Sequence, residues 1–190
     1  MVDPAFIELI LQKGRSANEK LRNEFANISF EELNWKASPQ SWSIGQCFDH
    51  LIHSHNAYLP KLKTIVEGNF KMNFWERFSP FTKIGGRLLI EQLTEQPKRK
   101  FKAPKKIQPS SSQLEIRIIK EYQHSLDQFL HYISKCSKVD IDKTKILSPT
   151  ISIVTYSLRD SFQFLLQHEH RHINQAIRVK KEYQQSLKTV

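Results

Sequence analysis

Apolar residues recur at helical spacing in four separate stretches of this chain, and most of these stretches carry recognisable end signals. The first spans about Pro4 to Phe25. Asp3 is placed to cap it and Pro4 suits its first position, and Phe6, Ile10, Ala17 and Leu21 recur on it. A short polar stretch follows, anchored by Phe30, Leu33 and Trp35, before Ser38-Pro39-Gln40-Ser41 breaks the chain. The second helix opens at Ser43, which with Gln46 forms a capping box. Its apolar stripe runs from Ile44 to Val66, with Pro60 inside it as an expected kink, and Gly68-Asn69 ends it. The third runs from about Ser112 to Ser137, on Ile116, Ile119, Leu126, Phe129 and Ile133. The fourth starts near Ser157 and continues past Gln175 towards the C-terminus, with Leu158, Phe162, Leu165, Ile173 and Ala176 on its apolar side.

The connections differ in kind. Residues 139–149 read as a polar link. Residues 70–112 are too long for a turn, with Trp75, Phe78 and Phe81 as aromatic anchors and a short helix over Lys83–Gln92. A basic, proline-punctuated strap runs from Pro97 to Lys106. Four long helices with one long link predict an all-α fold: a single domain over 1–190, built as a four-helix bundle with a crossover between helices two and three.

Composition agrees with that picture and narrows the partners. The 190 residues are 39% hydrophobic and 25% charged, with only five glycines, which disfavours a turn-rich β fold. No run approaches the ~18 apolar residues that a bilayer span needs, and no secretory signal opens the chain. Cys47 and Cys136 lie far apart inside helical patterns, as reduced thiols do. A cytoplasmic protein without a membrane role is expected. The net charge of +10 raises nucleic acid as a partner. The basic residues are spread over all four helices without a nucleic-acid motif, so solvated charge explains them better.

Histidine changes the picture most. Three of the eight lie in Asp49-His50-Leu51-Ile52-His53-Ser54-His55 and three in His168-Glu169-His170-Arg171-His172. Residues four apart share a helix face, so His168 and His172 point together, inward with Leu165 and Ala176. His170 points roughly 160–200° away and is expected in solvent. An i,i+4 imidazole pair can chelate one ion, and a third ligand from another helix would complete an open, catalytic type of site. Helix two leaves a choice: His55 lies nearest the centre of its stripe, His50 at its edge, and His53 faces away. Adjacent Asp49 is poorly placed to hydrogen-bond a ligand ring, because neighbouring residues on a helix face apart. His168-Glu169-His170-Arg171-His172 also spells the zincin H-E-x-x-H. However, Arg178 stands where a metzincin places its third histidine, and Glu182 is too near for the usual distant glutamate.

Trp42-Ser43-Ile44-Gly45-Gln46-Cys47-Phe48-Asp49-His50-Leu51 and His168-Glu169-His170-Arg171-His172-Ile173-Asn174-Gln175 resemble the two signature segments of the DinB-like superfamily of metal-binding four-helix bundles. Asn34-Trp35-Lys36 and Phe101-Lys102-Ala103-Pro104 add to the likeness. The resemblance implies His50, His168 and His172 as ligands of one divalent ion, zinc or nickel, and favours His50 over His55. It also implies a homodimer, a small-molecule substrate, and a low-molecular-weight thiol as a co-reactant. Similar proteins include bacillithiol S-transferases, a mycothiol-dependent maleylpyruvate isomerase and members described as metal-dependent hydrolases. On this view the ion activates water or a thiol, Glu169 is an acid/base candidate, and Gln175 bonds a ligand or substrate. The alternatives are an ion that only braces the helices, and a basic nucleic-acid-binding module.

Overall fold

The computed structural model describes residues 2–80, 82 and 103–188. The expected short helix over Lys83–Gln92, the anchor Phe81 and the strap from Pro97 to Lys102 lie outside these residues. The described chain is predominantly helical. Helix α1 is Pro4–Phe25, α2 Phe30–Asn34, α3 Ile44–Val66, α4 Phe74–Phe78, α5 Ile118–Lys135 and α6 Leu158–Lys188. A 3₁₀ turn, Lys105–Ile107, precedes α5 and another, Cys136–Lys138, follows it.

The helix ends form where the side chains demand them. The Asp3 carboxylate accepts from the Phe6 amide at 3.0 Å, satisfying a donor that has no partner within the helix. Ser43 and Gln46 form the reciprocal box that starts α3. Helix α3 runs on through Pro60 to Val66 rather than ending there.

Helix α1 packs on α5 and α6, and α3 packs on the same two, closing a ring of four. One contiguous apolar cluster fills it, including Ile10, Leu21, Phe25, Phe48, Leu62, Tyr122, Phe129, Phe162 and Ile173. Helices α1 and α5 approach closely at Gly14, where an added Cβ would stand 2.3 Å from a Leu130 methyl carbon. Gly14→Val should therefore destabilise the fold by about 1–3 kcal/mol through overpacking. A thermal midpoint equal to or above that of the parent would contradict this close approach.

Three expectations need correction. The link after α5 is not merely polar coil. Lys145–Leu147 (β1) and Thr155–Ser157 (β2) pair antiparallel with Ile146 opposite Tyr156, and both of these side chains are buried. The third long helix begins at Ile118 rather than near Ser112, because residues 110–114 bond to α2 and α3 instead of to a helix of their own. Trp75 and Phe78 are not buried anchors: they are 38% and 63% exposed, and Phe30 of α2 is exposed as well. Leu33 is the residue of that early stretch that the core takes in.

Candidate metal centre

Position 50 sits two turns into α3, and positions 168 and 172 sit mid-way along α6. Because α3 and α6 pack together, ring atoms from opposite ends of the chain meet. One nitrogen from each of His50, His168 and His172 lies within 4.8 Å of the other two, and all three residues are buried. Nε2 of His50 is 2.8 Å from Nε2 of His168. The ring centroids of the three imidazoles are 4.6–4.8 Å apart, each pair close to edge-on.

The outer nitrogens decide which inner ones are bare. His50 Nδ1 donates to the Ile107 carbonyl, which can only accept, so the proton belongs on Nδ1 and leaves an Nε2 lone pair facing inward. His172 Nδ1 lies 3.0 Å from Gln175 Oε1, and the same reasoning applies. Two imidazole nitrogens bound tetrahedrally to one ion at about 2.0–2.1 Å stand roughly 3.3–3.4 Å apart. The His50–His168 pair, at 2.8 Å, needs to part by only about half an ångström to reach that spacing. The donor set suits a divalent transition-metal ion: three neutral imidazoles, oriented by a carbonyl and an amide.

Burial keeps these rings neutral. Desolvation pushes the pKa of His168 and His172 well below the ordinary histidine value and lowers that of His50, and charge on the neighbouring rings adds to the effect for His168 and His172. Unfolding would restore the ordinary value of about 6.5, so below that pH the unfolded chain binds more protons than the folded one. The metal-free protein should hold this stability contribution above about pH 6.5. It should lose it as pH falls towards the depressed folded values, by up to about 1.4 kcal/mol per pH unit for each ring that stays neutral. Thermal midpoints of the metal-free protein between pH 5 and 7 check the sign. A midpoint that rises on acidification in that window would contradict it.

The crossover holds the site from one side. Ser110 donates to Asp49 Oδ2 from its amide at 2.6 Å and its hydroxyl at 2.8 Å. Gln46 Nε2 donates to the Ser111 carbonyl at 3.0 Å. Asn34 brackets Leu114, donating to its carbonyl at 2.9 Å and accepting from its amide at 2.7 Å. These bonds fix Ile107 over His50. Asp49 thus serves the site through the crossover, a role that helix-face geometry alone argued against. Trp42 also belongs to the site. Its ring stacks on His172 at 5.5 Å and tilts against His50 at 4.8 Å. Its position just before the capping box was the available signal. Nothing in the sequence pattern pointed to the Ile107 carbonyl.

The other histidines fall elsewhere. His55, the rival candidate from the apolar stripe, bonds Ser125 Oγ at 2.9 Å and Glu169 Oε2 at 3.0 Å. The Tyr122 hydroxyl donates to Glu169 Oε1, so Glu169 has both oxygens engaged inside the core. His53 is part-exposed beside Asp49, with its Nε2 3.4 Å from Oδ1. His170 corrects the expectation of a solvent-facing ring: it is half-buried, and burial together with Lys20 lowers its pKa. His124 and His131 are exposed. Burial raises both thiols, Cys47 and Cys136, to a pKa of about 12, so neither is a ready nucleophile. No helix among the described residues is long and apolar enough to cross a membrane.

No curated protein and no solved structure matches this chain. The family pattern of the DinB superfamily matches residues 14–176, a span that takes in all three converging histidines together with Trp42 and Gln175. The chain belongs to the DinB superfamily.

Proposed function

We propose that this protein is a metal-dependent enzyme built on a four-helix bundle with a crossover between α3 and α5, in which His50, His168 and His172 hold one divalent ion, zinc or nickel. The observation that carries this reading is the convergence of three buried imidazoles, two of them with Nδ1 already bonded so that Nε2 faces the common point. When bound, such an ion would make a water or a low-molecular-weight thiol nucleophilic near neutral pH, in a hydrolase or a thiol S-transferase. The chain's own residues would do the rest. Ile107 and Gln175 hold the ring tautomers, Trp42 covers His50 and His172, and the crossover limits access from the α3 side. Gln175 acts through His172. Glu169 is the nearest carboxyl candidate for proton transfer, and it would have to exchange a Tyr122 or His55 bond to serve. We expect a homodimer in solution, which sedimentation would test.

Zinc and nickel content of protein purified without a histidine tag tests the metal. Transfer of a low-molecular-weight thiol to an electrophile, and hydrolysis of ester and amide substrates, test the chemistry. Gln175→Ala should cost about 10–100-fold in metal affinity, the range for residues that orient a ligand ring. Unchanged affinity would remove Gln175 from the site.

One observation favours a second reading. With both Glu169 oxygens engaged in the core, no uncommitted acid or base among the described residues stands beside the rings, as expected if the ion only braces α3 against α6. Metal-dependent stabilisation without turnover of any thiol or hydrolytic substrate would favour it.

A further inference from the structure

Residues 107–114 of the crossover run antiparallel to the start of α3. Ile107 meets His50, Ser110 meets Asp49, Ser111 meets Gln46, and Leu114 packs at Gly45. Gly45 admits that last contact: a Cβ there would stand 3.2 Å from the Cβ of Leu114, closer than ordinary packing allows. Asn34 of α2 grips the same residue from the far end, through both its amide and its carbonyl. The Ser110 and Leu114 amides donate to side chains of α3 and α2, so these two bonds exist only while the strip is docked. Asn34 and Ser110 themselves bond none of the three converging rings.

The strip and the centre meet at one bond, from His50 Nδ1 to the Ile107 carbonyl. An imidazole that gives its Nε2 lone pair to a cation becomes a stronger donor at Nδ1, so this bond tightens when an ion is held. Conversely, a docked Ile107 fixes the tautomer and direction of the ring that the ion needs. Docking and ion binding therefore share a coupling free energy, and each strengthens the other by the same factor.

We infer that Asn34 and Ser110 are positioning residues for the ion, acting through Ile107, and that the ion in return clamps residues 107–114 onto α3. This rests on the metal reading above.

Amide hydrogen exchange of the full chain, metal-free and with zinc, tests it by NMR. Zinc should slow exchange at Ser110 and Leu114 roughly tenfold, the low end of the effect of a group that orients a ligand ring. The Phe6 amide is the control, since it also donates to a side chain, but at the Asp3 cap of α1. It should change little. His50→Ala should abolish the difference between crossover and control. Asn34→Ala combined with Ser110→Ala alters no charge and no ring. It should free the Leu114 amide to exchange and weaken zinc binding roughly tenfold, with helical circular dichroism retained. Equal slowing at all three amides would overturn the proposal, because zinc would then be stabilising the fold as a whole. So would slowing at the crossover that survives His50→Ala. Parent-like zinc affinity in the double variant, with its crossover exchanging freely, would overturn it too, and this arm stands even where His50→Ala fails to fold. A parent chain that takes up no zinc defeats the metal reading itself, an outcome that chelator titration reads separately from exchange.

Discussion

Replacing His50, His168 or His172 by alanine should each lower zinc affinity by roughly 100–1,000-fold, while His53→Ala and His170→Ala leave it within about twofold. The magnitude follows from sharing a protein–zinc binding free energy of about 10–16 kcal/mol among three ligands, so that each accounts for several kcal/mol before any water replaces it. The pattern follows from placement. The first three rings share a buried point. His53 lies part-exposed beside Asp49, and His170 packs near Lys20. Competition titration with a chromophoric chelator measures all five. Equal loss of affinity in all five variants would mean that the histidines act through the fold and not through a common ion.

The largest stability effect should come from Glu169→Ala. Its carboxyl joins three helices: it lies on α6, accepts from Tyr122 of α5, and bonds His55 of α3, whose other ring nitrogen faces Ser125. All four side chains are buried, at 0–6% exposure. Removing the carboxyl strands a hydroxyl and a ring nitrogen in the core and leaves a cavity. The expected loss is about 3–5 kcal/mol, which for a chain of this size lowers the thermal midpoint by roughly 10 °C. Glu169→Gln keeps the shape and one acceptor and should cost well under half as much. Melting of the two variants beside Glu182→Ala, a surface control, checks the account. A Glu169→Ala midpoint equal to that of the control would contradict it.

Helix existence was legible because it depends on local terms. The 3.6-residue recurrence of apolar side chains, the Asp3 cap and the Ser43–Gln46 box each act within a turn or two, and all appear where the pattern puts them. The hairpin of β1 and β2 was missed, because three-residue strands carry too few alternations to register. The late start of α5 was missed for another reason. Residues 110–114 satisfy Asp49, Gln46 and Asn34, partners 60 to 80 residues away, and such bonds leave no local signature.

At the site, the pairing of His168 with His172 was a matter of helix geometry. The choice between His50 and His55 was not. Both lie on the inward side of α3, and their fates differ only through what each faces. His55 meets Ser125 and Glu169, while His50 meets α6 one turn away and the Ile107 carbonyl. The apolar stripe favoured His55, which lies against Ser125 and Glu169 and not with the converging rings, because the centre of a buried face marks burial and not chemistry. The resemblance to the superfamily pointed to His50, through its spacing from Trp42. Trp42 itself lies against His50 and His172.

A crystal structure of the zinc-loaded protein with anomalous data at the metal edge puts the account to its most direct test. It should show one peak between the three rings, about 2.0–2.1 Å from an Nε2 atom of each of His50, His168 and His172. A fully loaded protein with its peak elsewhere, or with His50 turned away from the α6 pair, would contradict it.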